Sequence, residues 1–318
     1  MWRHLTVRLV LYPVILWAIY TITFLMVVTI PGNPFAGEDR AMNADVERAV
    51  MAKFNADDNS KFYWEYLGNL INPVQAYRGE GPLIDLGPSW QYHDWTCNQI
   101  IATSLPVSAG LGLTAILIAV LIGVPVGVVS AVKRNSLFDY ASLSLALLGI
   151  SLPTFVTGTA LLIVFAVGLD WLPVEGWGSF SQLILPAFTL SLPFMAYIAR
   201  LTRLGMLDVL GSDYIRTARA KGLCERQVIW KHALKNAFLP VLSFLGPACA
   251  QALTGSFIIE SIFNIPGLGQ HFVAGVLNRD RAIILATVLV FSSVIIVFNL
   301  LVDVAYAVVD PRIDLDKE

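Results

Sequence analysis

The sequence predicts an all-α polytopic membrane protein with six transmembrane helices. The prediction rests on the composition, on long uncharged runs and on the placement of the basic residues. Of the 318 residues, 56% are hydrophobic and only 14% are charged, whereas soluble domains carry roughly 25% charged residues. The formal net charge is −2, so the chain lacks the basic excess of a nucleic-acid-binding protein. Nucleic acid is therefore not an expected partner.

Six runs without a charged residue are long enough to cross a hydrocarbon core, which takes about 20 apolar residues. A single run of this kind also fits a buried helix of a soluble protein, but six together favour membrane spans. Because no water reaches backbone N–H and C=O groups inside lipid, the spans are expected to be helical. The runs are Leu9–Ile30, Ile100–Val132, Tyr140–Leu169, Gly176–Ala199, Asn236–Ile259 and Ala282–Val302.

Basic residues near the ends of the spans predict the orientation, because cytoplasmic loops carry an excess of Lys and Arg. With six spans, Arg3, Arg8, Lys133 and Arg134 fall on the same side as the basic loop 204–235. We expect that side to be the cytoplasm, with both termini inside and one membrane domain over residues 1–318.

The loop 31–98 would then lie outside the cell. It carries an excess of acidic residues, and its segment Ala44–Leu70 has a helix-forming composition. The segment Arg78–Trp90 is rich in Gly and Pro, which predicts turns. Two roles remain open for this loop, namely attraction of a basic partner surface and simple cover of the outer mouth.

Small, proline and acidic residues add detail to the spans. Gly123 and Gly127 form a small-xxx-small pair that lets helices approach closely. The segment Pro266–Phe272 is a candidate gate turn on the outer side.

Prolines remove a backbone donor and are expected to bend the spans. The prolines within the spans are Pro106, Pro125, Pro153, Pro186, Pro193 and Pro247. Acidic residues occur only at span ends, where we expect interfacial solvation: Asp139, Asp208, Glu260 and Asp303.

The most informative segment is the basic stretch 212–240. Ser212 or Asp213 is expected to cap a short helix with its side-chain oxygen, and that helix would run to about Lys221. Gly222 suits the left-handed position that ends a helix. Glu225 then falls in the first turn of a second helix that leads into the fifth span.

The first short helix is expected to present a narrow, flat apolar face made by Ile215 and Ala218, with Gly222 one turn further. Basic side chains flank this face, and their guanidinium groups can pair with carboxylates. Two interpretations stay open from composition alone. The face docks a soluble protein partner, or the segment lies on anionic lipid headgroups.

The segments DYIRTARAKGL and ERQVIWKHALKNAFLPVL resemble the cytoplasmic loop of ATP-binding-cassette (ABC) importer permeases, in particular the dipeptide, oligopeptide and nickel permease family. The stretches IPGNP, SLPTF, LDWLPVEGWGS, LPAFTLSLPFMAYIARLTR and ESIFNIPGLGQ agree, so the similarity covers essentially the whole chain. The resemblance implies the type I ABC importer permease fold and a multi-pass protein of a prokaryotic cell membrane. The outer loop is the poorest match.

In such permeases this loop carries the coupling helix, with the general pattern Glu-Ala-Ala, three residues, Gly. Gly222 matches the glycine and Ala218 the second alanine, while Arg216 and Thr217 replace the Glu and the first Ala. The resemblance implies that the contacts with an ATPase subunit come from Asp213, Tyr214, Ile215, Arg216, Thr217, Ala218, Arg219, Ala220, Lys221, Gly222 and Leu223.

The resemblance also implies the partners: a second homologous permease, two ATP-binding subunits, an extracytoplasmic solute-binding protein and membrane lipid. No phosphate-binding loop of the pattern G-x-x-x-x-G-K-[ST] occurs in the chain, so we expect a transport subunit that is not itself an enzyme. ATP and magnesium would be bound by the partner ATPase subunits, and no cofactor by this chain.

Uptake of dipeptides or oligopeptides is the expected function, with a nickel or other small-solute permease of the same family as the alternative. The four histidines, His4, His93, His232 and His271, are too scattered to predict a metal site. A membrane-embedded enzyme or a scaffold is a more distant alternative, because no catalytic constellation is visible. No residue of the spans stands out as a solute contact.

Overall fold

The structure is a computed structural model that describes residues 2–30, 51, 58–79, 81–92, 94–254 and 257–309. Over these ranges the chain is helical, and its β-structure is limited to the isolated bridges Ile71↔Ile84 and Pro88↔Thr96. The helices are α1 Trp2–Val28, α2 Asn59–Asn69, α3 Pro73–Arg78, α4 Cys97–Val132, α5 Leu137–Ser151, α6 Thr154–Leu161, π1 Leu162–Gly168, α7 Phe180–Leu210, α8 Asp213–Ala220, α9 Glu225–Gln227, π2 Val228–Ala233, α10 Leu234–Ala237, α11 Leu239–Thr254, α12 Phe257–Ile262, α13 Leu268–Leu277 and α14 Arg281–Val309.

The helices confirm the predicted membrane class. Within the described residues, five helical segments are long and apolar enough to cross a bilayer, and a bent pair makes a sixth if it counts as one span. The five segments are Val10–Val28, Cys97–Val132, Phe180–Leu210, Leu239–Ile262 and Arg281–Val302. Each overlaps one of the uncharged runs, so local composition located the spans correctly.

The third predicted span is broken. The run Tyr140–Leu169 folds as α5 and a second helix of α6 and π1, and the two meet at 108°. Leu152 has an extended backbone with ψ of 130°, and Pro153 precedes α6 with ψ of 138°. Proline disfavours the helical conformation in the residue before it, so α5 ends there. A bend was expected at all six prolines. The helix is broken only here, while α4 and α7 continue through their prolines.

The predicted gate turn Pro266–Phe272 is mostly helical. Gly267 has an extended backbone at the N-terminal boundary of α13, and the helix begins at Leu268. The turn is therefore limited to the residues before Leu268. Pro266 and Gly267 do interrupt the regular structure, as the sequence indicated, but the interruption is the start of a helix.

The chain forms two compact units. The first comprises Ser108–Pro266 and Val294–Glu318, and the second comprises Trp2–Val107 and Gly267–Ser293. In the first unit α7 is the central helix, because α5, α6, α10, α11, α12 and π2 all pack against it. Its start is fixed by a capping box in which Ser179 and Gln182 bond each other's backbone.

Glycines on α4 allow that helix to approach α7 closely. A Cβ atom added at Gly127 would lie 2.5 Å from the carbonyl oxygen of Ala199 and 2.6 Å from Cβ of Thr202. At Gly123 the same atom would lie 2.8 Å from the carbonyl oxygen of Met195. The predicted small-xxx-small pair is confirmed, and any larger side chain would push the two helices apart.

The second unit has an aromatic core. The ring of Tyr20 stacks on Tyr66 at 5.7 Å between centroids, and Phe62 meets Trp90 edge-on at 5.4 Å. The Tyr20 hydroxyl donates to the carbonyl oxygen of Tyr63 at 2.8 Å. Part of the loop 31–98 is therefore folded onto α1. Of the predicted helix Ala44–Leu70, residues 44–50 and 52–57 lie outside the described residues.

Asp280, buried just before α14, ties this folded loop to the last span. Its Oδ2 accepts hydrogen bonds from Ser89 Oγ at 2.6 Å, Trp90 N at 2.8 Å and Gln91 N at 3.1 Å. Its Oδ1 accepts from Ile283 N at 3.1 Å in the first turn of α14. One carboxylate thus serves both as a helix cap and as the anchor of the loop.

Candidate functional site: the basic loop

The basic loop folds as two short helices that meet at a glycine corner. Gly222 has φ of +76°, the left-handed conformation that glycine adopts without strain. Its N–H donates to the carbonyl of Arg219 at 2.9 Å, and Leu223 N donates to that of Ala218 at 3.4 Å. These two bonds form the Schellman motif that closes a helix C-terminus. The predicted helix and corner are confirmed.

The predicted side-chain cap at the start of α8 is wrong. Ser212 has the extended backbone of a capping residue, but no side-chain cap bond is formed. Its hydroxyl instead donates back to the carbonyl oxygen of Val209 at 2.6 Å. Asp213 Oδ1 lies 3.3 Å from Arg216 Nη1, and both side chains are exposed. The hydroxyl therefore bonds to the end of α7 and leaves the first turn of α8 uncapped.

The apolar face of α8 points into the chain itself. Ile215 is 0% exposed and Ala218 is 8% exposed. Helix α8 packs against π2, whose own buried residues are Val228 and Ala233. The sequence identified the face correctly, but the interpretation of that face as a free docking surface is wrong, because the second helix of the same loop covers it.

The outward side of α8 and its corner is polar. Tyr214 is 42% exposed, and its hydroxyl accepts a hydrogen bond from Asn236 Nδ2 at 2.9 Å. The other exposed members of the predicted set are Asp213, Arg216, Thr217, Arg219, Ala220, Lys221 and Gly222, and Leu223 is half-buried. Any partner that meets the loop in this conformation therefore meets charges and hydroxyls.

An ion pair spans the corner. Arg219 donates through Nε to Glu225 Oε1 at 2.7 Å and through Nη2 to Oε2 at 3.3 Å. Both side chains are substantially exposed, so the pair stabilises the fold by at most about 1 kcal/mol. The forked geometry joins the last turn of α8 to the first residue of the second helix. Glu225 opens that helix, as the sequence predicted.

The second helix links the loop to the central helix of the first unit. Its middle turn, π2, has the wide π-helical geometry that is frequent at functional sites, and it contacts both α8 and α7. After π2, α10 lies against α7 so closely that a Cβ atom added at Gly205 would be 2.5 Å from the carbonyl oxygen of Ala237. The second helix therefore packs against both α8 and α7.

Two acidic residues that were expected to be solvated are buried. Asp139 is 1% exposed and pairs with Arg203, with Nε–Oδ1 at 2.7 Å and Nη2–Oδ2 at 2.9 Å. Glu260 is 0% exposed and accepts from Ser108 Oγ at 2.7 Å. Asp208 is exposed as expected, and the side chain of Asp303 lies outside the described residues.

Comparison with known sequences gives a family match and named relatives. The family model described as "Binding-protein-dependent transport system inner membrane component" matches residues 123–315. The oligopeptide transport system permease protein OppB of Salmonella typhimurium is 46% identical over 301 residues, which is 94% of each chain. The dipeptide transport system permease protein DppB of Bacillus subtilis is 44% identical over 94% of each chain.

A solved structure shows the same fold at low sequence identity. The inward-facing MetNI methionine ABC transporter contains a chain that matches with a TM-score of 0.56 at 16% identity, covering 66% of this chain and 96% of that one. The family match spans more than half of the chain and includes the whole basic loop. The chain therefore belongs to the family of inner membrane components of binding-protein-dependent transport systems.

Proposed function

We propose that this chain is a permease subunit of an ABC importer that takes up oligopeptides or dipeptides. The observation that carries the proposal is the near full-length similarity, at 44–46% identity, to permease proteins named for oligopeptide and dipeptide transport. These relatives are named for peptides, so the nickel alternative is not favoured. Both termini and the basic loop are assigned to the cytoplasm by the positive-inside rule.

The energy for transport would come from separate subunits. The sequence holds no phosphate-binding loop, so ATP and magnesium are assigned to two partner ATPase subunits and the chain itself is no enzyme. A second permease subunit would complete the pathway, and an extracytoplasmic solute-binding protein would deliver the peptide. No cofactor is assigned to this chain.

The predicted set Asp213–Leu223 is proposed as the coupling element, with its parts divided between two tasks. The exposed polar side of α8 would meet the ATPase subunit, while Ile215 and Ala218 hold α8 on π2. A movement of the ATPase pair would displace α8 as a rigid body and pass through π2 and α10 to α7. Such a switch requires that the partner contact α8 differently in its two states.

Peptide uptake by the reconstituted complex tests the function. Vesicles that contain the complete transporter should accumulate a labelled oligopeptide only when ATP is present on the ATPase side. An excess of unlabelled oligopeptide should compete, and Ni²⁺ should not. Accumulation of Ni²⁺ without peptide accumulation would instead establish the nickel permease.

The glycine corner gives the first test of coupling. Proline at position 222 cannot adopt a φ of +76° and removes the N–H that bonds Arg219. We therefore expect Gly222→Pro to abolish peptide uptake and to leave ATP hydrolysis uncoupled from solute. Gly222→Asn is the matched control, because asparagine tolerates the left-handed conformation, and it should retain most uptake. Equal uptake by both variants would contradict a coupling role for the corner.

The ion pair across the corner gives a second test. Because the Arg219 guanidinium already bonds Glu225, we expect Arg219→Glu to place two carboxylates together and to reduce uptake strongly. The double variant Arg219→Glu with Glu225→Arg restores an opposite-charge pair and should recover uptake. A double variant as inactive as the single one would contradict the view that the ion pair itself is what uptake requires. Membrane insertion, followed by the amount of assembled complex, should not change in any variant.

A further inference from the structure

An apolar groove runs along the first unit between α4, α5 and α7. It has a volume of about 420 Å³, and its walls include Ile122, Val126, Phe138, Leu145, Leu192 and Ala199. The floor is formed where Gly149 on α5 approaches α7, since a Cβ atom there would lie 3.2 Å from Cβ of Ala196. The groove is open along one side, and its apolar surface suits a hydrocarbon chain.

Three exposed cations stand at one end of this groove. Lys133 lies just after the end of α4, seven residues and therefore two turns beyond the groove residue Val126, on the same side of the helix. Arg134 is the next residue. Arg200 lies one turn beyond the groove residue Ala196 on α7. The end of the groove that holds Phe138 and Ala199 is therefore the basic end, and the opposite end is uncharged.

The acidic residue nearest this end does not cancel the charge. Asp139 is buried and bonded to Arg203 at 2.7 Å, so the two form a neutral pair beneath the groove. Ser142, a polar residue of the groove wall, donates to the Asp139 carbonyl oxygen at 2.9 Å. The next acidic side chain on α7, Asp208, is two turns beyond Arg200. Three positive charges are therefore left to face an anion.

We propose that the groove binds one anionic phospholipid of the cytoplasmic leaflet, with an acyl chain along α4, α5 and α7 and its phosphate beside Lys133, Arg134 and Arg200. Charge complementarity carries the choice of occupant, because anionic headgroups lie at the depth where basic residues follow the spans. The proposal rests on the cytoplasmic placement of the basic loop given under the proposed function. Lipid in this groove would hold α5, the helix that ends before Pro153, against α7.

Lipid binding can be measured directly on the purified complex. We would reconstitute it in nanodiscs with equal amounts of phosphatidylcholine and phosphatidylglycerol, then count and identify the retained lipids by native mass spectrometry. The unaltered complex should retain phosphatidylglycerol preferentially. Lys133→Gln with Arg200→Gln should weaken that preference by about fivefold for each cation removed. Lys231→Gln with Lys235→Gln, at exposed positions outside the groove, is the charge-matched control and should leave it unchanged.

A steric pair of variants separates a built groove from a diffuse attraction to charge. Ala141 lines the groove and Ser144, three residues later on α5, does not. Ala141→Phe should displace the retained phosphatidylglycerol, whereas Ser144→Phe should not. Equal retention in both, or equal loss in the groove and control charge variants, would overturn the proposal.

Occupancy by the second permease is the remaining competing outcome. A cysteine at position 141 that cross-links to the partner permease, with no lipid retained, would assign the groove to that interface and overturn the proposal. These readouts do not depend on transport. A complex that binds phosphatidylglycerol but imports no peptide would contradict the proposed function alone.

Discussion

Arg203→Met is expected to destabilise the folded chain by about 3–5 kcal/mol, because it leaves the Asp139 carboxylate buried without a counter-charge. Asp139 is 1% exposed and also accepts from Ser130 Oγ and from Asn135 N. These neutral donors remain in the variant, but they cannot replace the two bonds from the guanidinium group. The loss should appear as a lower thermal midpoint of the purified chain in detergent.

The matched controls separate the ion pair from general damage to α7. In detergent without phospholipid, Arg200→Met removes an exposed cation three residues earlier on the same helix and should change the midpoint little. The double variant Asp139→Asn with Arg203→Met removes both charges and should recover much of the loss, since a neutral buried group is far less costly than an unpaired one. If Arg203→Met proved as stable as Arg200→Met, the pair would have no structural role.

The second large effect is expected at Asp280. Asp280→Ala removes the acceptor for Ser89 Oγ and for two backbone N–H groups of the outer loop, together with the bond to Ile283 N. Each buried donor left without an acceptor costs about 1–3 kcal/mol. We therefore expect the outer loop to detach from the start of α14, with a total loss on the order of 3 kcal/mol or more.

Hydrogen exchange of the backbone amides of Trp90 and Gln91 measures this detachment. Both amides should exchange much faster in Asp280→Ala, while the amides of α7 in the first unit keep their protection. Asp94→Ala removes an exposed carboxylate from the same loop and should leave exchange unchanged. Unaltered protection in Asp280→Ala would show that the aromatic core around Tyr66 and Trp90 holds the loop without this anchor.

The sequence predicted those features that depend on local chemistry. A bilayer requires about 20 uncharged residues per span, so the six runs overlap the apolar helices, although α7 continues past Ala199 to Leu210 and the third run is broken. The corner at Gly222 was predictable because few residues other than glycine adopt a positive φ without strain. The resemblance in the same segment then supplied a functional interpretation that composition alone had left open between a protein partner and lipid.

Features that depend on distant partners were not predictable from local patterns. Asp139 meets Arg203 sixty-four residues away, so its carboxylate looked like a solvated span end. Asp280 meets Ser89 across 191 residues, and nothing in the sequence around Asp280 indicated that contact. Ile215 is buried because the chain after Gly222 turns back and packs against α8. The hydrophobic periodicity of α8 alone gives no information about that later segment. Pro153 was recognised as a disruption, but a 108° break and a gentle bend have the same local sequence signal.

The π-helical turn Val228–Ala233 has a geometric consequence for the whole loop. An α-helix advances by about 100° per residue around its axis, and a π-helical turn accommodates one residue more than an α-helical turn. The wide turn therefore changes the rotation about the helix axis between α10 and the residues that precede π2. Since Asp213–Ala220 lies before it, this one extra residue affects the direction in which Tyr214 and Arg216 point relative to α10.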